Sequence, residues 1–316
     1  MNPAKIAKRL LDPPLYHTGP EWLNRMGWQV ARTSFHHGLH AIRSRPAPVE
    51  GIAASLAEGE RTGCVVIPNF LAPQDFERLQ AYCASLRTSG AVKVDENRGN
   101  TGLDFTTAAI NGNSPDAQWV VEKIARDARL LCVVGTLSRR HIRRPPQVAY
   151  QLLTMRPGAD FSPDAETILH ADRHFPAVKA YYSLNVSTVE NGAYVLCPGS
   201  HRLTAARLRH EYSESIRYAK LRDKFNVDIP QKNLDEMGVK EVTILTEPNT
   251  LVVSNNFGFH RRGHFERGAV REQLRLVFHY LEEPVYATWA WSVLRKLDRR
   301  NLIPPKLRHA IQYRLT

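Results

Sequence analysis

The sequence predicts a mainly β fold, a β-sandwich or jelly roll with flanking helices packed on one of its sheets. Short apolar and β-branched runs of strand length recur between residues 147 and 281, with Gly and Pro turns between them. The runs with helical periodicity lie mostly before these strands. A chain of 316 residues with 43% hydrophobic and 23% charged residues has the composition of a globular domain with extensions.

Residues 1–51 are predicted to form a basic, partly helical N-terminal extension. Residues 21–43 combine apolar and basic side chains at loosely helical spacing. His36, His37 and His40 fall in this run, and neither a carboxylate nor a cysteine stands beside them. We therefore expect exposed histidines on a helix face there rather than a metal site.

Residues 52–284 are predicted to form the core domain, which opens with a strand at 62–67 and a helix at 73–87. The buried stripe of that helix is expected to be Phe76, Leu79, Cys83 and Leu86. Residues 90–113 are polar and rich in Gly and Asn, which favours a loop long enough to border an active site. Ser114, followed by proline, then starts a second helix.

The second half of the domain is predicted to consist of strands, with a charged surface helix at 205–225 between them. The strands are expected at residues 147–155, 193–197, 241–245, 250–254 and 274–281. Asn191-Gly192 indicates a hairpin turn between the strand that follows residue 172 and the returning strand. Pro198-Gly199 indicates a second sharp turn.

His170 and Asp172 form an H-x-D pair. On an extended strand, alternate side chains share a face, so both would project the same way, with Cα atoms roughly 6.6 Å apart. One imidazole and one carboxylate make two-thirds of the 2-His-1-carboxylate facial triad, which leaves open positions on Fe(II). His260 lies 88 residues after Asp172, beyond the predicted strand 250–254, and is the candidate for the second imidazole.

A second H-x-carboxylate pair, at residues 264–266, is an alternative ligand set. It lies in a polar loop flanked by glycine, and only His279 and His309 follow it. His279 is too close in sequence to come from a separate strand pair. The other nearby histidines, His174 and His201, are expected to be structural residues that form hydrogen bonds.

The motifs resemble those of the phytanoyl-CoA dioxygenase family. H-x-D at 170–172 is followed by N-G-x5-P-G-S-H at 191–201, and then by His260 with an arginine eleven residues later. The resemblance is good over residues 148–202 and 250–281, weaker over 61–90 and absent at both ends. It implies an Fe(II)/2-oxoglutarate-dependent oxygenase with a double-stranded β-helix core, a cupin-like jelly roll.

The resemblance also implies a role for individual residues. His170, Asp172 and His260 would be the catalytic iron ligands, with O2 and 2-oxoglutarate as the reactants that the metal site binds. Arg271 matches the arginine that grips the distal carboxylate of 2-oxoglutarate. Tyr181 falls where the family has an aromatic residue beside that cosubstrate.

Three further residues are candidates for the cosubstrate pocket. Gln151, on the strand at 147–155, is expected to line it together with Tyr150. Arg275 shares the face of Arg271 four residues along a strand, so it is the alternative for holding the distal carboxylate. A planar, permanently charged guanidinium suits that contact better than the ammonium of lysine.

Asp172 also bears on the type of reaction. Related iron enzymes that transfer halide need the carboxylate position vacated, so a carboxylate there favours hydroxylation of an unactivated carbon. A soluble small-molecule hydroxylase of secondary metabolism is one alternative. A non-catalytic peripheral binding protein on the same scaffold is another, although the intact ligand set and Arg271 argue against it.

The net charge of +12 lies almost entirely at the two ends of the chain. Residues 1–48 carry seven Lys/Arg and two acidic residues, net +5, and residues 285–316 carry seven and one, net +6. Trp289 and Trp291 precede a cluster of leucines, lysine and arginines in a C-terminal extension predicted to be basic and amphipathic. This pattern is typical of an interfacial helix on an anionic membrane. No nucleic-acid-binding motif accompanies the charge, so no nucleic-acid partner is expected.

The four cysteines are scattered in apolar runs without zinc or disulfide spacing, which suits a reducing compartment. Residues 1–11 lack the apolar stretch of a secretory signal. We therefore expect a cytoplasmic enzyme, peripheral on the inner membrane, that acts on an acidic or lipid-linked substrate, such as a lipopolysaccharide precursor sugar or an acyl chain. No motif indicates the substrate itself or the oligomeric state.

Overall fold

The computed structural model describes residues 20–43, 46–47, 49–94, 102–110, 112, 114–142, 144–163, 166–221 and 229–281. The basic C-terminal extension with Trp289 and Trp291 lies outside the described residues, as does the segment before residue 20. The predictions made for those two segments therefore stay predictions.

The described strands are antiparallel and form two sheets. They are β1 Cys64–Ile67, β2 Lys93–Val94, β3 Leu103–Ile110, β4 Gln147–Met155, β5 Val178–Ser183, β6 Tyr194–Leu196, β7 Val242–Ile244, β8 Thr250–Asn255, β9 His260–Arg262 and β10 Val270–Val277. The large sheet has the order β1-β8-β5-β10-β4-β3-β2, and the small sheet has the order β7-β6-β9. Together they form the jelly-roll core, so the predicted fold class is confirmed.

The described helices precede the strands or connect them. They are α1 Glu21–Arg25, α2 Trp28–Ala41, α3 Ala53–Thr62, α4 Pro73–Thr88, α5 Pro115–Val120, α6 Ala128–Ser138, α7 Ala205–Leu221 and α8 Gln231–Met237. Ser114 caps α5 as predicted, because its Oγ accepts a hydrogen bond from Ala117 N at 3.1 Å. A π-helical turn, Val121–Ala125, then separates α5 from α6, where a continuous helix was expected.

Each side of the large sheet has a different environment because side chains alternate along its strands. Leu274 and Leu276 of β10 are buried in the main hydrophobic core together with residues of α3 to α6. Gln273 and Arg275, which alternate with these two leucines along β10, face the small sheet. One face of the large sheet therefore packs on helices, while the other forms the floor of a pocket.

The segment 90–113, predicted to be a loop, contains strands β2 and β3. Leu103, Phe105, Ala108 and Ile110 are buried, and β3 pairs with β4 along eight residues. The loop prediction was wrong because polar and apolar residues alternate only imperfectly in this segment. The sequence pattern of a strand is therefore weak there. Pairing with the long β4 stabilises a strand that the local sequence indicates weakly.

The Asn191-Gly192 turn does not close a hairpin. Strand β5 before it belongs to the large sheet, whereas β6 after it belongs to the small sheet. The turn therefore carries the chain from one sheet to the other. The last predicted strand also begins earlier than expected, at Val270, so Arg271 lies within β10.

The described part of the N-terminal extension packs on the core through α7, which contacts both α1 and α2. His36 and His40 are 0% and 2% exposed, so the expectation of exposed histidines was wrong. His40 Nδ1 lies 2.6 Å from Ser138 O, and the His36 ring lies 5.0 Å from that of His174. Aromatic and imidazole rings thus surround side chains that the sequence pattern assigned to the surface.

None of the helices in the described residues is long and apolar enough to cross a membrane. The four cysteines are free and buried, in agreement with their expected role as small apolar residues.

Candidate metal centre

His170, Asp172 and His260 lie together between the two sheets. Their potential ligand atoms are all within 4.8 Å of one another. His170 is held by a single β-bridge to His260, the first residue of β9, with hydrogen bonds of 3.0 Å from His170 N and 2.8 Å from His260 N. Asp172 N donates to Asn256 O at 3.0 Å. The H-x-D pair therefore lies in a bridged loop rather than in the strand that its spacing suggested.

Both histidines present Nε2 to the centre. His170 Nδ1 lies 2.6 Å from Ile168 O, and His260 Nδ1 lies 3.0 Å from Gly258 O. A carbonyl oxygen accepts a hydrogen bond, so each Nδ1 carries the proton and each Nε2 has a lone pair that can bind a metal. Nε2 of His260 also lies 3.2 Å from Asn256 Nδ2. The two Nε2 atoms lie 3.5 Å from the Asp172 oxygens. These donors fit a divalent iron ion, which favours two neutral imidazoles and one carboxylate.

The Asp172 carboxylate has partners of its own. Asn256 Nδ2 donates to Oδ2 at 2.5 Å, and Lys179 Nζ lies 2.6 Å from the same oxygen. Burial acts to raise the pKa of Asp172, but Lys179 and His260 outweigh it and hold that pKa well below its usual range. Burial lowers the pKa of His260, so its imidazole is neutral as a metal ligand must be.

The pKa of His170 moves in the other direction. Burial acts to lower it, but the hydrogen bond and the charge of Asp172 outweigh burial and raise it. Among the described residues, no other group of His, Cys, Asp and Glu brings three ligand atoms this close. His264, from the alternative ligand set, is exposed on the surface.

A pocket opens beside the triad, with the large sheet as its floor. Arg271, Gln273 and Arg275 of β10 line it, and the pairing register places Gln151 of β4 beside Gln273 and Tyr181 of β5 beside Arg275. The opposite wall includes Tyr194, Ile244, His260 and Arg262. The structure thus places four of the five predicted cosubstrate residues in one pocket with a candidate iron ligand.

Tyr150 is the exception among the residues expected to line the pocket. It is fully buried on the other face of the large sheet, where its hydroxyl donates to Glu272 Oε1 at 2.8 Å. Adjacent residues on a strand face opposite sides, so Gln151 and Tyr150 were unable to share the pocket.

Arg271 reaches from the floor to the opposite wall, where its Nη1 donates to Gly192 O. Gly192 has φ 74, and a Cβ atom there would lie 3.0 Å from Phe265 and 3.5 Å from Arg271 Nη1. Glycine is therefore needed for the positive φ of the turn, and a larger residue would also crowd the Phe265 ring. Burial and the nearby Arg262 lower the pKa of Arg271 to about 10, a penalty that a bound carboxylate would relieve.

Basic residues dominate the pocket. Lys179, Arg261, Arg262, Arg271 and Arg275 line it, and Glu166 is the acidic residue among the lining side chains. Lys179 pairs with Asp172, and Arg261 pairs with Glu241 at 2.6 Å. Nε of Arg275 is buried without a hydrogen-bond partner among the described residues. These ion pairs therefore leave Arg271 and Arg275 on the floor of the pocket to bind anionic groups.

Sequence reasoning missed Lys179, Asn256 and Arg262. Strand alternation offered a signal for two of them, since Lys179 lies two residues before Tyr181 and Arg262 lies two residues after His260. Asn256 gave no signal, because its contact with Asp172 depends on a loop that only the folded chain forms.

Several solved structures are similar in structure to this chain, at low sequence identity. The epimerase SnoN, in complex with Fe3+, alpha ketoglutarate and nogalamycin RO, is 17% identical over 71% of this chain and 82% of its own, with a TM-score of 0.47. EctD from S. alaskensis with bound Fe is 18% identical over 74% and 79%, with a TM-score of 0.47. The carbocyclase SnoK from nogalamycin biosynthesis is 15% identical over 74% and 86%, with a TM-score of 0.45.

The sequence model of the phytanoyl-CoA dioxygenase (PhyH) family matches residues 59–246, which is 188 of 316 residues. No curated protein sequence matches the chain. The matched range includes His170 and Asp172 but ends before His260 and Arg271, whose placement rests on the geometry described above. The chain therefore belongs to the phytanoyl-CoA dioxygenase family of iron- and 2-oxoglutarate-dependent oxygenases.

Proposed function

We propose that the protein hydroxylates an unactivated carbon of an anionic substrate, which is either lipid-linked at a membrane surface or a soluble acid. The observation that carries the proposal is the excess of basic side chains in the pocket beside the triad. In the balanced reaction, the substrate C–H, 2-oxoglutarate and O2 yield the alcohol, succinate and CO2. Iron(II) bound by the triad supplies the oxygen chemistry, and the protein contributes binding and orientation.

The roles of individual residues follow from the geometry. His170, Asp172 and His260 are the proposed iron ligands, and the backbone carbonyls on their Nδ1 atoms fix the imidazole tautomers. Arg271 is proposed to bind the distal carboxylate of 2-oxoglutarate through its planar guanidinium. Tyr181 is proposed to line the cosubstrate.

The preference for an anionic substrate is an argument from charge. With Lys179 paired to Asp172 and Arg261 paired to Glu241, Arg271 and Arg275 remain on the floor of the pocket. Arg271 accounts for one end of the cosubstrate. Arg275, beside Tyr181 in the pairing register, is therefore available for an acidic group of the substrate, or for the cosubstrate if Arg271 is not the residue that binds it.

The two alternatives make different predictions. A soluble small-molecule hydroxylase would use the same pocket without any lipid. A non-catalytic binding protein would bind iron and 2-oxoglutarate but release no succinate with any substrate. Both alternatives use the same three candidate ligands, so succinate release is the observation that distinguishes an enzyme from a binding protein.

A screen of metabolite extracts tests the proposal. Purified protein with iron(II), 2-oxoglutarate and O2 is incubated with aqueous and lipid extracts, each divided into anionic and neutral fractions. We expect succinate release, together with a product one oxygen atom heavier, in an anionic fraction, and neither with the Asp172→Ala variant. Turnover confined to neutral fractions would refute the substrate class. Iron binding without turnover in any fraction would favour the binding protein.

A further inference from the structure

Helix α2 has its polar side buried and its apolar side exposed. Gln29, Arg32, Thr33, His36 and His40 are all buried. The exposed positions are Ala31, Phe35, Gly38 and Ala41, followed directly by exposed Ile42. None of these exposed side chains is polar. A helix on the surface of a globular protein normally shows the opposite arrangement.

The buried polar side chains of α2 have partners in the core. Gln29 Nε2 donates to Glu211 Oε2 at 2.9 Å, and His40 Nδ1 bonds with Ser138 O. The His37 ring lies 4.3 Å from that of Phe257. These contacts hold the orientation of the helix, so its apolar side faces outward because the polar side is already occupied.

Helix α1 extends the exposed apolar surface. Trp22 of α1 is 58% exposed. Met26, which directly follows α1 and lies four residues after Trp22, is 76% exposed on the same side. Asn24, on the opposite face, is buried and donates to Ser215 O at 3.1 Å. We call the exposed side chains of Trp22, Met26, Phe35 and Ile42 the outer face. Phe35 of α2 is 56% exposed, and Ile42, which directly follows α2, is 82% exposed.

The adjoining helix α7 adds positive charge beside this surface. Its two acidic residues, Glu211 and Glu214, have side chains 0% and 9% exposed. Its exposed basic residues include Arg209 and Lys220. The acidic side chains of α7 therefore point into the protein, as does Arg207, whereas Arg209 and Lys220 point outward. Arg25 of α1 is also largely exposed, with a 58% exposed side chain.

From these contacts we infer that the outer face docks onto an anionic lipid surface, with the apolar side chains inserted at the level of the headgroups. Exposed aromatic and aliphatic side chains beside basic ones are what an interfacial helix needs. The net charges of +5 over residues 1–48 and +6 over residues 285–316 add to the attraction. The four apolar side chains lie on or directly after two consecutive helices, α1 and α2.

The inference deepens the proposed function, and rests on it to the extent that docking serves access to a lipid-linked substrate. The position of α2 fits that use, because its His36 ring contacts His174, two residues beyond Asp172. The docking helix therefore lies directly behind the loop that carries two of the proposed iron ligands. Membrane binding itself is measurable without any turnover.

Co-sedimentation with vesicles tests the inference. The full chain is mixed with vesicles of phosphatidylcholine alone or with phosphatidylglycerol, at low and at high salt. Two double variants are compared, Phe35→Glu with Ile42→Glu and, as the matched control, Val94→Glu with Leu245→Glu. Val94 and Leu245 are 55% and 61% exposed, so the control adds the same charge at apolar side chains of similar exposure elsewhere.

We expect the wild type to bind the phosphatidylglycerol vesicles, the outer-face variant to bind at least tenfold more weakly, and the control variant to stay within about threefold of the wild type. Equal losses in both variants, or equal binding by wild type and outer-face variant, would overturn the inference. So would absence of wild-type binding, or a wild-type dimer that the outer-face variant converts to monomer in light scattering, because a second copy would then cover the face.

The same samples separate this inference from the proposed function. Circular dichroism checks that each variant is folded, and succinate release from the active extract fraction checks turnover. Docking without turnover leaves the membrane surface established and refutes the enzyme. Turnover without docking leaves the enzyme established and refutes the surface.

Discussion

His170 and His260 are joined through their backbones, with hydrogen bonds of 3.0 Å from His170 N and 2.8 Å from His260 N. The two residues are 90 positions apart in the sequence. The bridge sets the two imidazoles side by side, with ring centroids 4.6 Å apart. Because backbone groups form it, the arrangement of the site does not depend on the ligand side chains themselves.

This arrangement predicts that ligand variants fold but fail to bind iron. Iron-dependent turnover of 2-oxoglutarate should be abolished by each of the variants His170→Ala, Asp172→Ala and His260→Ala. Each variant leaves two of the three ligands of the facial triad, and two ligands bind the metal poorly. Iron(II) titration and thermal melting are the measurements. The control is Asp160→Ala, which removes a carboxylate that is 94% exposed. Full activity in the Asp172→Ala variant would refute the ligand assignment.

Arg271 should bind the cosubstrate rather than the primary substrate. Loss of a hydrogen bond to a charged group costs about 1.5–3 kcal/mol, so Arg271→Gln is expected to raise the 2-oxoglutarate concentration needed for half-maximal rate roughly ten- to 150-fold. Arg275→Gln, from the same strand and pocket, is the matched variant. If Arg275→Gln produces the larger increase in the 2-oxoglutarate requirement, the two arginines have exchanged roles.

The iron-binding loops also depend on a buried ion pair. Arg207 is 0% exposed, and its Nε lies 3.0 Å from Glu211 Oε1. Its other nitrogens donate to Ser200 O at 2.7 Å and to Phe257 O at 2.8 Å. This single side chain therefore ties α7 to the Pro-Gly-Ser-His turn and to the segment just before His260.

Arg207→Met should lower the free energy of unfolding by about 3–5 kcal/mol, because the negative charge of Glu211 then stays buried without the guanidinium that neutralises it. The double variant with Glu211→Leu should recover part of that loss, because the uncompensated charge is then gone. Urea denaturation of the two variants and the wild type measures the difference. Equal stability of the single and double variants would mean that the uncompensated charge of Glu211 does not cause the loss.

The sequence indicated the candidate site because the proposed ligands belong to short motifs. H-x-D and the distal His260 are recognisable by residue type and order, and strand alternation places Arg271 and Arg275 on one face. The sheet assignment of the strand after Gly192 was not recoverable in this way. Whether a turn closes a hairpin or crosses between sheets depends on pairing with distant strands, β7 and β9 in this case.

The orientation of α2 was not predictable from its pattern either. Hydrophobicity alone directs Phe35 and Ile42 inward, whereas the structure exposes both. The deciding interactions are tertiary, such as the hydrogen bond from Gln29 to Glu211. Local propensity contains no information about a buried polar partner 182 residues away.

The buried histidines of α2, His36 and His40, predict that the fold loses stability in mild acid. Burial, with smaller effects of nearby arginines, lowers the pKa of His36 to about 3 and that of His40 to about 4, against 6.5 in the unfolded chain. Both imidazoles are therefore neutral in the fold. Between pH 6.5 and these lower values, the unfolded chain binds more protons than the folded one. The stability present above pH 6.5 is consequently lost as the pH falls toward 3 to 4.

At pH 5 the expected loss is about 2 kcal/mol for each such histidine, since one unit of pKa corresponds to about 1.4 kcal/mol. Urea midpoints measured from pH 8 to pH 5 should therefore fall. His36→Gln should flatten part of this dependence, because glutamine takes up no proton. The control His264→Gln changes an exposed histidine and should leave the slope as in the wild type. If both variants keep the full slope, titration of His36 does not contribute to the acid sensitivity, and other groups must account for it.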